Sequence, residues 1–275
     1  MLSGPLGRTW RVMATGVSFG VFGCAALLLS ITVCPLLALT APSQAVARLR
    51  IQRAVHYGCR FFVALMKLLG VVTYELHGIE RLAEHPAGGK GRLILANHPS
   101  LIDAVFLLAW TPQAVCIVKQ ALRHNPFLGW TVGWSGYVSN DDPAPLIQNC
   151  VATLNQGQSL IMFPEGTRSV PGRVPEFKRG AAWIALRAQA EILPVVIRCE
   201  PSMLTKGRRW YQVPPSPGHF TIVVGAPMQA ASKLPPGRSP AQFAAQLTAQ
   251  LQQVLDPQRI GPTDARVGMV SALIR

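Results

Sequence analysis

Two short stretches carry residue types that could do chemistry. The first, "RLILANHPSLID" (92–103), is an apolar run that stops at Asn97 and His98, with Asp103 five positions after the histidine. An imidazole titrating near neutral pH can take a proton from a reacting group. A carboxylate within reach of its other nitrogen fixes the tautomer and stabilises the imidazolium that forms. The spacing alone also arises by chance, as a histidine in a turn beside a first-turn helix acid. The second stretch, "LIMFPEGTRS" (160–169), is another apolar run. Pro164 ends it, and Glu165, Gly166, Thr167 and Arg168 follow as a polar turn that Gly166 allows to be tight. Downstream, "FKRG" (177–180) places Lys178 and Arg179 where a helix begins. That end of a helix already carries partial positive charge, so cations there fit a nearby anion. Ser100 reads as a helix N-cap rather than a nucleophile, and there is no convincing Gly-x-Ser-x-Gly elbow. His56, His77, His85, His124 and His219 lack metal-ligand spacing, so no metal is expected.

The elements that must hold these residues read as α/β. Strands are expected near 92–97, 114–118, 136–139, 159–163, 192–198 and 219–225, and helices near 101–110, 119–130, 143–155, 178–190 and 239–255. Such alternation predicts a largely parallel central sheet covered by helices, with the chemistry in loops after the carboxyl ends of strands. His98 and Glu165 both fall at such places. Pro194, inside "ILPVVI", suits an edge or the start of a strand.

Ahead of this pattern, Val12 to Val46 carries no charge, and residues 16–40 supply about 25 mostly apolar positions, enough to cross a hydrocarbon core of about 30 Å. Pro35 could instead fold the segment into a re-entrant hairpin. The stretch 56–78 is apolar but carries Arg60 and Lys67, as expected of a helix lying in the membrane interface. The reading is an N-terminal membrane-associated helical segment over 1–83 and an α/β domain over 84–275. The 26 Lys and Arg against 12 Asp and Glu give a net charge of +14, which suits anionic lipid or an acidic protein partner. Without a nucleic-acid-binding motif, nucleic acid is not expected as a partner. Arg48, Arg50, Arg53 and Arg60 after the apolar run outnumber Arg8 and Arg11 before it, which favours the cytoplasmic side for the α/β domain. The six cysteines have no paired spacing and read as buried, reduced thiols.

In order, "NHPSLID", then "FPEGTRS" about 60 residues on, then "FKRG" and "ILPVVI" resemble the 1-acylglycerol-3-phosphate acyltransferase family, the glycerolipid acyltransferases. The motifs lie within roughly residues 92–198. The resemblance implies transfer of a fatty acyl group from an acyl thioester to a hydroxyl of a lysophospholipid, lysophosphatidic acid becoming phosphatidic acid. His98 would be the general base and Asp103 its partner. Glu165 and Arg168 would bind the acceptor, with Asn97, Gly166, Thr167, Lys178 and Arg179 beside them. The donor would be acyl-CoA or an acidic acyl carrier protein, with no cofactor, and the place a membrane, the bacterial inner membrane with the active domain on its cytoplasmic face.

One departure stands out. Glycerophosphate-using members typically carry an arginine between the two motifs, whereas here no Lys or Arg occurs from His124 to Thr167. Asn140, Asp141 and Asp142 stand there instead, and Asp142 with Pro143 reads as a helix start. Alternative acceptors are therefore a lyso-aminolipid or a glycolipid. The remaining alternative is a noncatalytic lipid-binding protein.

Overall fold

The computed structural model describes residues 5–229 and 239–259, apart from positions 85, 87, 88, 171 and 174. The expectations for residues 260–275, including the end of the α/β domain, lie outside the described residues. The apolar segment is helical throughout: α1 (Pro5–Leu28), a π-helical turn (Leu29–Val33) and α2 (Cys34–Leu39). Pro35 explains the widened turn. Its ring cannot sit against the carbonyl one turn back, and the local ladder loosens, with Cys34 N–H bonding to Leu29 O. After a short turn, Ser43 caps α3 (Gln44–Leu68) by accepting from Val46 N–H. α3 packs on both α1 and α2, so the N-terminal part is a helical hairpin.

Beyond Gly70, in the left-handed region at φ +69°, the chain enters β1 (Val72–His77). The stretch 56–78 is thus a helix that stops at Leu68 followed by a strand, and not one interfacial helix. β1 belongs to the main sheet, so the α/β layer takes in residues ahead of 84. The later elements are β2 (Leu93–Ala96), α4 (Asp103–Trp110), β3 (Ala114–Val118), α5 (Gly129–Trp134), β4 (Val138–Ser139), α6 (Pro143–Asn155) and β5 (Ser159–Met162). They continue with α7 (Gly180–Ala188), β6 (Glu191–Glu200), β7 (Gly218–Val224), β8 (Met228–Gln229) and α8 (Pro240–Val254). The expected helix over 119–130 is a 3-10 turn (Gln120–Leu122) and then α5. Between them Asn125, followed by Pro126, accepts from Phe127 N–H and Leu128 N–H and restarts the helix.

The sheet runs β1-β7-β6-β2-β5-β3-β4, with β8 beside β6. β6, β2, β5, β3 and β4 are parallel, and β7 and β8 run antiparallel to β6. β1, parallel to β7, shares that reversed direction. Pro194 sits inside central β6, neither at an edge nor at a start, where its partner on one side changes from β8 to β7 and no ladder donor is required. All four residues of β2 and of β5 are buried, as strands covered on both faces must be. The helices form two packed groups, α3 with α4 and α6 with α7 and α8.

Candidate active site

β2 and β5 are neighbours in parallel register, Leu95 opposite Met162, so the residues leaving the two strands meet. His98 N–H donates to Glu165 Oε1 at 2.8 Å, and Ser169 N–H donates to His98 C=O at 2.7 Å. The turn carrying Glu165 and Ser169 therefore grips both backbone groups of the histidine. Phe163, the first residue after β5, stacks on the imidazole, with ring centroids 4.1 Å apart and planes 20° from parallel.

On its other side β2 borders β6. Asn97, buried at its end, donates through Nδ2 to Ile197 O and accepts through Oδ1 from Ile197 N–H, both at 2.7 Å. That side chain is occupied in tying two strands together, so the substrate-binding role expected of it gives way to bracing. Glu165 is likewise buried, and its Oε1 also accepts from Ser169 Oγ at 2.9 Å. Through this oxygen its carboxylate braces the histidine loop. Arg168 donates through Nη1 to Leu204 O at 2.8 Å and Thr205 O at 3.2 Å, pinning a loop whose Leu204 O also accepts from Leu101 N–H.

Asp103 opens α4 and is fully buried. Its Oδ2 accepts from His98 Nδ1 at 2.8 Å and from Ser100 N–H at 2.7 Å. Burial pushes the carboxyl up from its ordinary 3.8 to about 6, against the bond and charge of His98 and the Ser100 N–H. With Nδ1–H held by the carboxylate, the lone pair of Nε2 is free; the ring keeps 17% of its side-chain surface exposed, and Nε2 has no protein partner among the described residues. Ser100 is not the cap: α4 has no side-chain cap, and Ser100 Oγ is buried without a partner among the described residues.

Gly166 takes φ +66°, and a Cβ there would sit 3.1 Å from Lys178 Nζ. The exposed ammonium of Lys178 thus lies over the turn next to the histidine, while exposed Arg179 precedes the first residue of α7 and Thr167 is half-buried in the turn. Sequence reasoning missed Phe163 and Ser169 as parts of the site. The signal available was their adjacency to "PEGTR", which parallel strand-end pairing turns into contact with His98. No group of three or more potential metal-ligating side chains occurs among the described residues.

A histidine at a strand end, backed by a buried acid, is an arrangement suited to acyl transfer, the activity of an acyltransferase. Residues 73–198 match the Acyltransferase family model. The 1-acyl-sn-glycerol-3-phosphate acyltransferase of Pseudomonas aeruginosa is 27% identical over 194 residues, 68% of this chain and 72% of that protein. The Helicobacter pylori protein of the same name is 35% identical over 133 residues, 45% of this chain and 55% of the relative. The crystal structure of the 1-acyl-sn-glycerophosphate acyltransferase PlsC from Thermotoga maritima superposes with a TM-score of 0.67 at 20% identity, over 90% of this chain and 97% of that one. The chain thus carries a stretch that matches the acyltransferase family model and is similar to proteins that carry the 1-acyl-sn-glycerol-3-phosphate acyltransferase name.

Proposed function

We propose that this enzyme moves a fatty acyl group from an acyl thioester to the free hydroxyl of a lysophospholipid, with His98 as general base. One observation carries the reading: His98 Nδ1 is 2.8 Å from the buried Asp103 carboxylate while Nε2 is left unpartnered. In the reaction, Nε2 removes the hydroxyl proton as the alcohol oxygen attacks the thioester carbonyl. The tetrahedral intermediate expels the thiolate, which takes up the proton from the imidazolium. Asp103 holds the ring and stabilises its charge in between. Lysophosphatidic acid is the acceptor favoured by the names of the relatives. The donor is acyl-CoA or acyl carrier protein.

A specific observation supports a second acceptor. The loop after β4, where related enzymes place an arginine, presents Asn140, Asp141 and Asp142, and Asp142 Oδ1 caps α6 through Ala144 N–H. Arg168 is engaged with backbone carbonyls, while Lys178 lies over the turn at Gly166 that follows Glu165. A lyso-aminolipid, with less demand for cations than a phosphate dianion, fits such a site. Purified protein offered lysophosphatidic acid beside phosphate-free lysolipids, with acyl-CoA and acyl carrier protein in turn, tests both readings. His98→Ala is expected to abolish transfer while circular dichroism stays unchanged. Transfer by this variant at more than a few per cent of the wild-type rate overturns the assignment of the base.

The enzyme is further proposed to work at a membrane surface with α1 and α2 lying along it. Leu6–Leu39 is long and apolar enough to cross a bilayer by length and composition. Yet both parts of this helix are fastened to the α/β domain. Arg11 donates to the carbonyls of Pro214 and Pro215, Ser30 Oγ donates to Phe127 O, and Cys34 Sγ of α2 lies 3.9 Å from Thr131 Oγ1 of α5.

A further inference from the structure

Two cavities of about 430 Å³ each adjoin at Arg48, Arg123 and Gly133, and His98 and Asp103 line neither. They lie beside β4, which is three strand spacings, about 14 Å, across the sheet from β2. Arg48 is half-buried near the start of α3, and Arg123 is exposed after β3. Neither guanidinium has a hydrogen-bond or ion-pair partner among the described residues. One cavity also carries Asp141 and Asp142, each with one carboxylate oxygen engaged locally, by Ser139 Oγ and Ala144 N–H. The other carries Trp130 and Trp134, 64% and 36% exposed. α5, which bears both tryptophans, is fastened to the apolar hairpin, since Ser30 Oγ lies 2.7 Å from Thr131 Oγ1. The groove therefore opens beside the surface that meets lipid.

Two free guanidinium forks match a phosphate, whose oxygens accept paired N–H donors. Carboxylates in the same groove would repel a purely anionic headgroup but attract an ammonium placed beyond the phosphate. Indole rings at the rim suit the depth at which headgroups meet acyl chains. We propose that this groove is a second lipid site, separate from the catalytic histidine, for a glycerophospholipid headgroup that joins a phosphate to a primary ammonium. The phosphate lies between Arg48 and Arg123, the ammonium reaches Asp141 and Asp142, and the glycerol end runs past Trp130 and Trp134. This holds the enzyme on bilayers rich in such lipids whatever acceptor it acylates.

The test is co-sedimentation of the full chain with vesicles of phosphatidylcholine alone, or with added phosphatidylethanolamine or phosphatidylglycerol, at salt high enough to screen the overall charge of +14. Several-fold tighter binding to the phosphatidylethanolamine vesicles is expected. Arg123→Gln and Arg48→Gln should each reduce that preference and together remove it. Asp141→Asn should shift it toward phosphatidylglycerol. Transfer to a short-chain lysolipid in detergent should remain at the wild-type rate in both single arginine variants and in the double variant, so failure of this site is separable from failure of the catalytic reading. Equal binding to phosphatidylcholine and phosphatidylethanolamine, or a preference that survives loss of both arginines, overturns the proposal. A wild-type preference for phosphatidylglycerol overturns the role given to the two aspartates.

Discussion

Asp103 is the residue at which stability and chemistry pull in opposite directions. Its folded carboxyl keeps a proton to about pH 6, whereas the unfolded one loses it near 3.8. Between those values the folded state binds more protons, so stability falls as pH rises through this window and stays lowered above it, by about 3 kcal/mol. Activity needs the opposite condition, because only the ionised carboxylate stabilises an imidazolium. Transfer should therefore decline as pH drops below about 6, measured as kcat/KM against pH. Asp103→Asn removes the charge and keeps the shape. It is expected to unfold at a higher temperature than wild type at pH 8, to lose the fall in stability between pH 4 and 6, and to transfer acyl groups roughly 10²- to 10⁴-fold more slowly. A variant no more stable than wild type at pH 8 would show that the burial cost is misassigned. Arg168→Ala tests a different balance. The resemblance points to acceptor binding, but the guanidinium also holds Leu204 O and Thr205 O, so the variant should lose about 1–3 kcal/mol of stability besides raising KM. A raised KM at unchanged melting temperature would leave only the acceptor role.

Among the elements, β2 shows what the sequence could and could not reveal. The apolar run before Asn97 and the break at His98 mark a buried strand and its end, and the same signs mark β5 at Pro164. Which strands are neighbours is not written locally. The meeting of His98 with Glu165, Ser169 and Phe163 depends on β5 lying beside β2, a long-range pairing that no single stretch specifies. β1 was hidden for another reason, since its apolar residues continue the composition of α3 and only Gly70 separates two periods. Pro194 misled because a proline in a strand normally signals an edge, and the change of partner around it is a property of the assembled sheet. The bond pair from Asn97 to Ile197 is the point where strand pairing becomes site geometry. Asn97→Ala leaves a buried N–H and a buried C=O of Ile197 without their side-chain partner. Thermal or denaturant unfolding should show a loss of about 2–5 kcal/mol, with His98 displaced and kcat reduced even where the fold survives. Full activity in a destabilised variant would separate the brace from the site.

For the molecule as a whole, the question is how a 34-residue apolar helix coexists with a domain that touches both of its parts. A spanning helix carries its middle away from the domain; here Arg11 and Ser30, about 28 Å apart along the axis, are both bonded to it. The outward residues Leu6, Trp10, Met13, Val17, Leu28, Ile31, Leu36 and Leu39 stay exposed, and Tyr57, Phe61 and Leu68 are exposed on α3. In the in-plane arrangement proposed above, such a surface would dip into one leaflet and leave the α/β domain beside the headgroups. Of the six cysteines, Cys24 on α1 is exposed and the other five are buried, which offers a labelling site in the native chain. A fluorophore at Cys24, and at cysteines introduced singly in place of Leu6 and Leu39, can be ranged in depth with lipids carrying a quencher at known positions of the acyl chain. Lying along the surface predicts similar, shallow depths at all three places. A spanning helix predicts Cys24 near the bilayer centre and the other two far shallower and on opposite sides, because Leu6 and Leu39 are about 50 Å apart along the axis; that result would detach the hairpin from the domain surface and remove the basis for the in-plane arrangement.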